Sequence, residues 1–438
     1  MTETMMRNVE ETPANFRAKE ALAVQLRRLG RREREEGLLG DAETSYKNAL
    51  DLYRSLLKIN NEDPEFIIEL ARILRSIGDL RSLGEDLSNA ASYYNESKDF
   101  LRRIVEQHPD HPNALSNLSV SLERLGDVQR GYGNLTRAEH LYEESLGLMR
   151  DTLQRDPDRP EWLRDLSTIL NKVGDVQIER GDLDGAQASY EESLEVLRHL
   201  LKRDPTHPEM LYRFSTGLRR IGDVQRTRGD LGGAQLSYEE SLRLMRPLLE
   251  RLEREPSRPG WLRDLAVGLN KIGDVQGDRG DLEGAQSSYE ESQRLMRILL
   301  EQDPEHPGWL RDLTVSLDRI GDMQSARGDL SGAQSSYRES LGVTRGLLKL
   351  DPGRPEWLRD LALTLVKLGD VERNLGELAK ALVVYREAQD VVRELLGRLP
   401  EQPARFRDVS TALTGRIAET EKELGAESPP VDRAPKSA

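Results

Sequence analysis

Histidines and carboxylates are the side chains of this sequence that could move protons or bind a metal, and their spacing argues against a reaction centre. His111, His207 and His306 each stand directly before a proline, far apart along the chain. A metal site needs several ligands within about 2–2.2 Å of one ion, so these histidines read as turn residues. The carboxylates recur in columns at a fixed spacing, whereas an acid–base pair needs unlike environments that push two pKa values apart. There is no GxxxxGK[ST] phosphate loop, no HExxH and no GxSxG. Cysteine is absent, which excludes thiolate chemistry and a disulfide scaffold. We therefore expect no catalytic residue, no metal and no cofactor, and no enzyme.

Charge and hydropathy narrow the partners. The 438 residues carry a formal net charge of -14, with 32% charged and 37% hydrophobic residues. Nucleic-acid affinity comes chiefly from neutralising phosphates with Lys and Arg, so nucleic acid is not expected. No apolar run approaches the roughly 18 residues needed to span a bilayer, and MTETMMRNVEETPANF lacks the order of a signal peptide. The expectation is a soluble, cytoplasmic protein.

The dominant signal is a repeat. Gly30, Gly78, Gly126, Gly174, Gly222, Gly273, Gly321 and Gly369 follow one another at 48 residues, with a single step of 51. Leu lies four positions before each of these glycines, Ala twelve after and Tyr sixteen after, as in Leu170, Ala186 and Tyr190. Apolar steps of three and four in Trp162, Leu166, Leu170 and Val173, and again in Leu183, Ala186, Tyr190, Leu194 and Leu197, predict two amphipathic helices per unit. Each is about 20 residues and roughly 30 Å long. Gly181 suits a left-handed helix end and Asp182 can cap the next helix, while Pro160 fits the first turn of a helix. Ten or so apolar side chains at about 1.5–3 kcal/mol each do not offset a backbone entropy of about 1–2 kcal/mol for every residue, so units must stack. A helix-interior glycine costs roughly 0.5–1 kcal/mol. Its recurrence at Gly126, Gly174, Gly222, Gly273, Gly321 and Gly369 predicts close helix packing there, with Ala186 and Ser193 as the complement; Tyr190 reads as a further packing residue.

The order Leu170, Gly174, Gly181-Asp182, Ala186, Tyr190, Ser193-Leu194 resembles the tetratricopeptide repeat, over roughly residues 13 to 424. The unit is 14 residues longer than the usual 34, like arrays found in bacterial multidomain proteins, and the residue after the glycine is Asp in seven copies where the family usually has Asn. The resemblance implies an all-α, right-handed α-solenoid of eight antiparallel helix pairs plus a C-terminal capping helix over 403–424. Residues 1–12 and 425–438 are expected to be a flexible N-terminus and a disordered tail. Pro247 and the three extra residues of RLEREPSRP leave two readings of 247–259, a break in the array or a slightly longer loop.

By resemblance, the polar stripe of the first helices lines a concave groove where partners lie, contacted by the residue after the glycine. That nominates Asp127, Asp175, Asp223, Asp274, Asp322 and Asp370, together with variable positions three before and four after the glycine, among them Asn171, Asn270, Arg130, Arg226 and Arg373. The alternative is a self-paired solvated face, for example Lys172 with Asp175 three residues on. The four tryptophans, Trp162, Trp261, Trp309 and Trp357, begin first helices at apolar register and read as packing. The resulting expectation is a protein-interaction scaffold or adaptor for a protein or peptide partner, with basic segments favoured, in a monomer or weak homodimer. A regulatory or inhibitory subunit of a separately encoded bacterial protease or NTPase switch, and a self-assembling structural protein, are the alternatives.

Overall fold

The structure is a computed structural model that describes residues 13–35, 37–57, 63–254, 259–398 and 403–427. Residues 1–12 and 428–438, expected as a flexible N-terminus and part of a disordered tail, lie outside the described residues, whereas 425–427 of the expected tail belong to the final helix, Pro403–Glu427. The described chain is all-α: seventeen helices follow one another, from Pro13–Glu35 to Pro403–Glu427, and pair with their chain neighbours in a repeating pattern. Eight successive pairs and one final helix make an α-solenoid.

Local chemistry sets the unit. In the fourth repeat the first helix runs Pro160–Glu179 and the second Leu183–Arg203. Pro160 opens the first, where its missing N–H costs nothing. Gly181 between them has φ +82°, a left-handed conformation that glycine adopts without steric penalty. The Asp182 side chain then accepts from the Gly185 N–H at 3.0 Å and satisfies one free amide of the second helix. His111 and His306 cap in the same manner: each Nδ1 accepts an amide N–H, from Ala114 and Trp309, at 3.3 Å. Trp162, Trp309 and Trp357 are buried, with Arg159 and Arg354 stacked over the first and last at 4.4 and 5.0 Å.

Packing within a unit centres on the glycine. A Cβ at Gly222, Gly273 or Gly321 would lie 2.5–2.6 Å from a ring carbon of Tyr238, Tyr289 or Tyr337. The tyrosine ring of the second helix, rather than Ala186 or Ser193, is thus what occupies the missing side chain's place. The small residues make a second close contact: Ser193 is buried and its Oγ donates to the Ser167 carbonyl at 3.0 Å, and Ser97 does the same to Ala71 at 3.1 Å.

The chain divides into two compact units, Met1–Gly217 and Leu218–Ala438. Pro247 lies inside the helix Leu231–Arg254. Residues 255–258, on which part of the 247–259 reading falls, lie outside the described residues. Among the described residues no helix is long and apolar enough to cross a membrane.

Candidate functional site

The Asp after each glycine is positioned by its own repeat. Its backbone is one residue beyond the glycine, so its side chain emerges beside the tyrosine that covers that glycine. The Tyr hydroxyls of Tyr94, Tyr142, Tyr190, Tyr238, Tyr289, Tyr337 and Tyr385 donate to Asp79, Asp127, Asp175, Asp223, Asp274, Asp322 and Asp370 at 2.6–2.8 Å. Burial, then the adjoining carboxylate charge, pushes the phenols of Tyr94, Tyr142, Tyr238, Tyr289 and Tyr337 well above their ordinary range.

The same carboxylates reach across to the following repeat. Arg124 meets Asp79 at 3.1 Å, Lys172 meets Asp127 at 2.5 Å, Lys271 meets Asp223 at 2.6 Å, and Lys367 meets Asp322 at 2.7 Å. Arg319 meets Asp274 at 3.3 Å, and Arg416 of the final helix meets Asp370 at 2.8 Å. Asp79, Asp127, Asp223, Asp274, Asp322 and Asp370 therefore each form a rung, with a Tyr from the same repeat and a cation from the next helix pair or the final helix, while Asp175 bonds Tyr190 and meets Arg130 of the preceding repeat. Lys172, paired in the sequence with Asp175, is bonded to the preceding repeat.

The other nominated residues also link repeats. Arg130 meets Glu179 at 2.5 Å and Asp175 at 3.5 Å, Arg226 meets Asp274 at 3.2 Å and Asp278 at 3.1 Å, and Arg373 meets Glu419 at 3.1 Å and Glu423 at 2.5 Å. Asn270 donates to Ser316 at 3.2 Å. Asn171 differs: among the described residues its buried side-chain oxygen has no hydrogen-bond partner. Outside, second helices are tied by Arg54–Glu96, Arg150–Glu192, Arg297–Glu339 and Arg345–Glu387 at 2.5–2.8 Å, each pair 42 residues apart.

One position that the sequence reading passed over shares this face. Six residues before the glycine stand Arg72, Val120, Thr168, Thr216, Val267, Val315 and Leu363; Val315 is 41% and Leu363 46% exposed. A helix presents positions three and four apart on one face, so this column continues the stripe of the nominated residues. The signal was available as apolar residues recurring outside the buried register of the first helices.

The first unit holds buried charge in this stripe. Asp165 has its carboxyl pushed up to about 6 by burial and by the Glu123 charge, against the opposing pull of Arg164, Arg75 and Arg213. A folded-state pKa above the unfolded value means the stabilising contribution is complete below about 4 and is lost as pH rises through about 6. Asp165→Asn is accordingly expected to raise stability by about 1–2 kcal/mol at pH 7.5, after allowance for partial solvent screening, and by almost nothing at pH 4. Urea midpoints of both proteins at the two pH values check the sign.

No family model matches the chain, and no curated protein matches it. Among solved structures it is similar to BtubC (BKLC) from P. vanneervenii, with 20% identity, a TM-score of 0.45, and coverage of 59% of this chain and 90% of that one. It is also similar to the apo form of RapI, with 13% identity, a TM-score of 0.48, and coverage of 75% of this chain and 99% of that one. At these values neither likeness bears on function, and the α-solenoid rests on the chain's own helix pairing.

Proposed function

We propose that the protein is a non-catalytic interaction scaffold, an array of long tetratricopeptide-like helix pairs that holds a protein or peptide segment along the first helices of a unit. The observation that carries this reading is the rung. A carboxylate bonded at once to its own repeat and to the next fixes the spacing of successive first helices, and a preorganised surface spares a partner part of the ordering cost of binding. Because those Asp side chains are already bonded, they supply shape more than free charge. A basic segment would meet an acidic surface with the cations of the rungs interleaved. The exposed Val315 and Leu363 supply the apolar contacts on which affinity rests.

Val315→Glu and Leu363→Glu should leave stability within about 0.5 kcal/mol, since both side chains reach solvent. Each should weaken a partner recovered on the intact chain at least tenfold, about 1.4 kcal/mol. Surface plasmon resonance with the purified partner checks this, and unchanged affinity in both variants removes the reading. Assaying the partner's own activity with and without the chain distinguishes a passive scaffold from a regulatory subunit.

A further inference from the structure

We propose that the junction between the first and second repeats binds an external phosphate-type dianion, held where the later repeats hold an aspartate of their own. The first repeat breaks the rung on both sides. The residue after Gly30 is Arg31 where the other seven copies have Asp, and the second repeat has Ser76 where copies three to eight have Lys or Arg. The tyrosine is still present: Tyr46 is buried against Gly30, and both it and Ser76 line the space between the two repeats. Ser76 Oγ donates to the Arg72 carbonyl at 3.0 Å. The internal carboxylate that every later rung is built around is missing here.

A cavity of about 250 Å³ lies at this place, with Tyr46 and Ser76 in its wall and six guanidinium groups around it, those of Arg27, Arg31, Arg34, Arg72, Arg75 and Arg124. Carboxylates balance some of them. Glu69 serves Arg27 at 3.1 Å and Arg72 at 2.5 Å, while Asp79 serves Arg124 at 3.1 Å and Arg34 at 3.7 Å. Among the described residues Arg75 has only neutral partners in contact, the Asn117 carbonyl and side-chain oxygens, both at 2.8 Å. Arg31 is exposed and makes no ion pair with any described residue. Two guanidinium groups without a contacting carboxylate match a doubly charged group, and arginine's planar fork of N–H donors fits a phosphate. Burial, helped by the charges of Arg72 and Arg124 and opposed by Asp79, pulls Arg75 down to about 10; an anion in the cavity would relieve that strain on its charge. The net charge of -14 makes so basic a pocket a local exception.

This site stands on the first junction alone and does not depend on the scaffold reading. Isothermal titration of the intact chain with inorganic phosphate at pH 8 and low, fixed ionic strength should show saturable one-to-one binding. Arg31→Asp, which restores the rung's own carboxylate, should weaken it at least about tenfold while leaving the melting temperature equal or higher. Arg75→Gln should weaken it comparably, and Arg297→Gln, in an outer pair of the second unit, should leave it unchanged. Absence of saturable binding by the native chain, binding by Arg31→Asp as tight as the native chain's, or equal affinity for acetate at the same ionic strength would overturn the proposal.

Discussion

Gly321→Ala is expected to destabilise the array by about 1–3 kcal/mol, although alanine is the better helix former by up to about 1 kcal/mol. The new Cβ would stand 2.6 Å from the Tyr337 Cε1 atom, closer than carbon atoms approach without displacement. Tyr337 is buried, and its hydroxyl is held by Asp322 at 2.7 Å, so the ring cannot retreat without giving up that bond. Gly342 in the same repeat's second helix has open space where its Cβ would be, so Gly342→Ala should instead stabilise by about 0.5–1 kcal/mol. Removing the ring should reverse the first sign: in a Tyr337→Ala background, Gly321→Ala becomes neutral or favourable. Urea denaturation of the four proteins forms a double-mutant cycle, with hydrogen exchange to localise the loss because repeat arrays need not unfold in one step. A stabilising Gly321→Ala in the native background would remove the ring-against-glycine account of the period.

Asp127→Ala should cost about 2–4 kcal/mol, the range for stranding hydrogen-bonded partners of a partly buried charge. The substitution leaves the Tyr142 hydroxyl, 2.7 Å from the lost oxygen, buried without its acceptor. Lys172 keeps only Glu123, at 3.0 Å, in a stripe already crowded with charge. Asp127→Asn should lose less, because the amide oxygen still accepts from Tyr142. Asp99→Ala, at an exposed second-helix position beside Lys98, should change stability by less than about 0.5 kcal/mol. The order native, Asn, Ala in melting temperature is the expected result. An Asp127→Ala protein as stable as Asp99→Ala would mean the rung does not couple repeats.

Much of the fold is legible in local chemistry. The helix pair follows from apolar spacing that neighbouring residues impose on one another, its ends follow from Gly181, Asp182 and Pro160, and its number follows from the period. The site is less so. On a single helix Lys172 has Asp175 within reach three residues away, and its bond to Asp127 becomes visible only once the next pair is stacked. Separations of 45 residues also join Arg124 to Asp79 and Lys367 to Asp322, three short of the period of 48. That offset is a readable signature of a stacked rung, but only for someone who already knows which helices face each other.

Arg31 and Ser76 make the same point from the other side. Both depart visibly from their columns, and each alone reads as ordinary variation among repeats. Their joint meaning, a rung without its carboxylate inside a wall of arginines, depends on the first and second repeats lying side by side. By itself the sequence determined the period, the helix pairs, their caps and the need for stacking, because those depend on forces acting within a few residues along the chain. Only the tertiary structure decided which charges are bonded internally and which remain for a ligand, because that depends on through-space distances between residues some 45 apart, set by the stacking of helix pairs and not by chain connectivity.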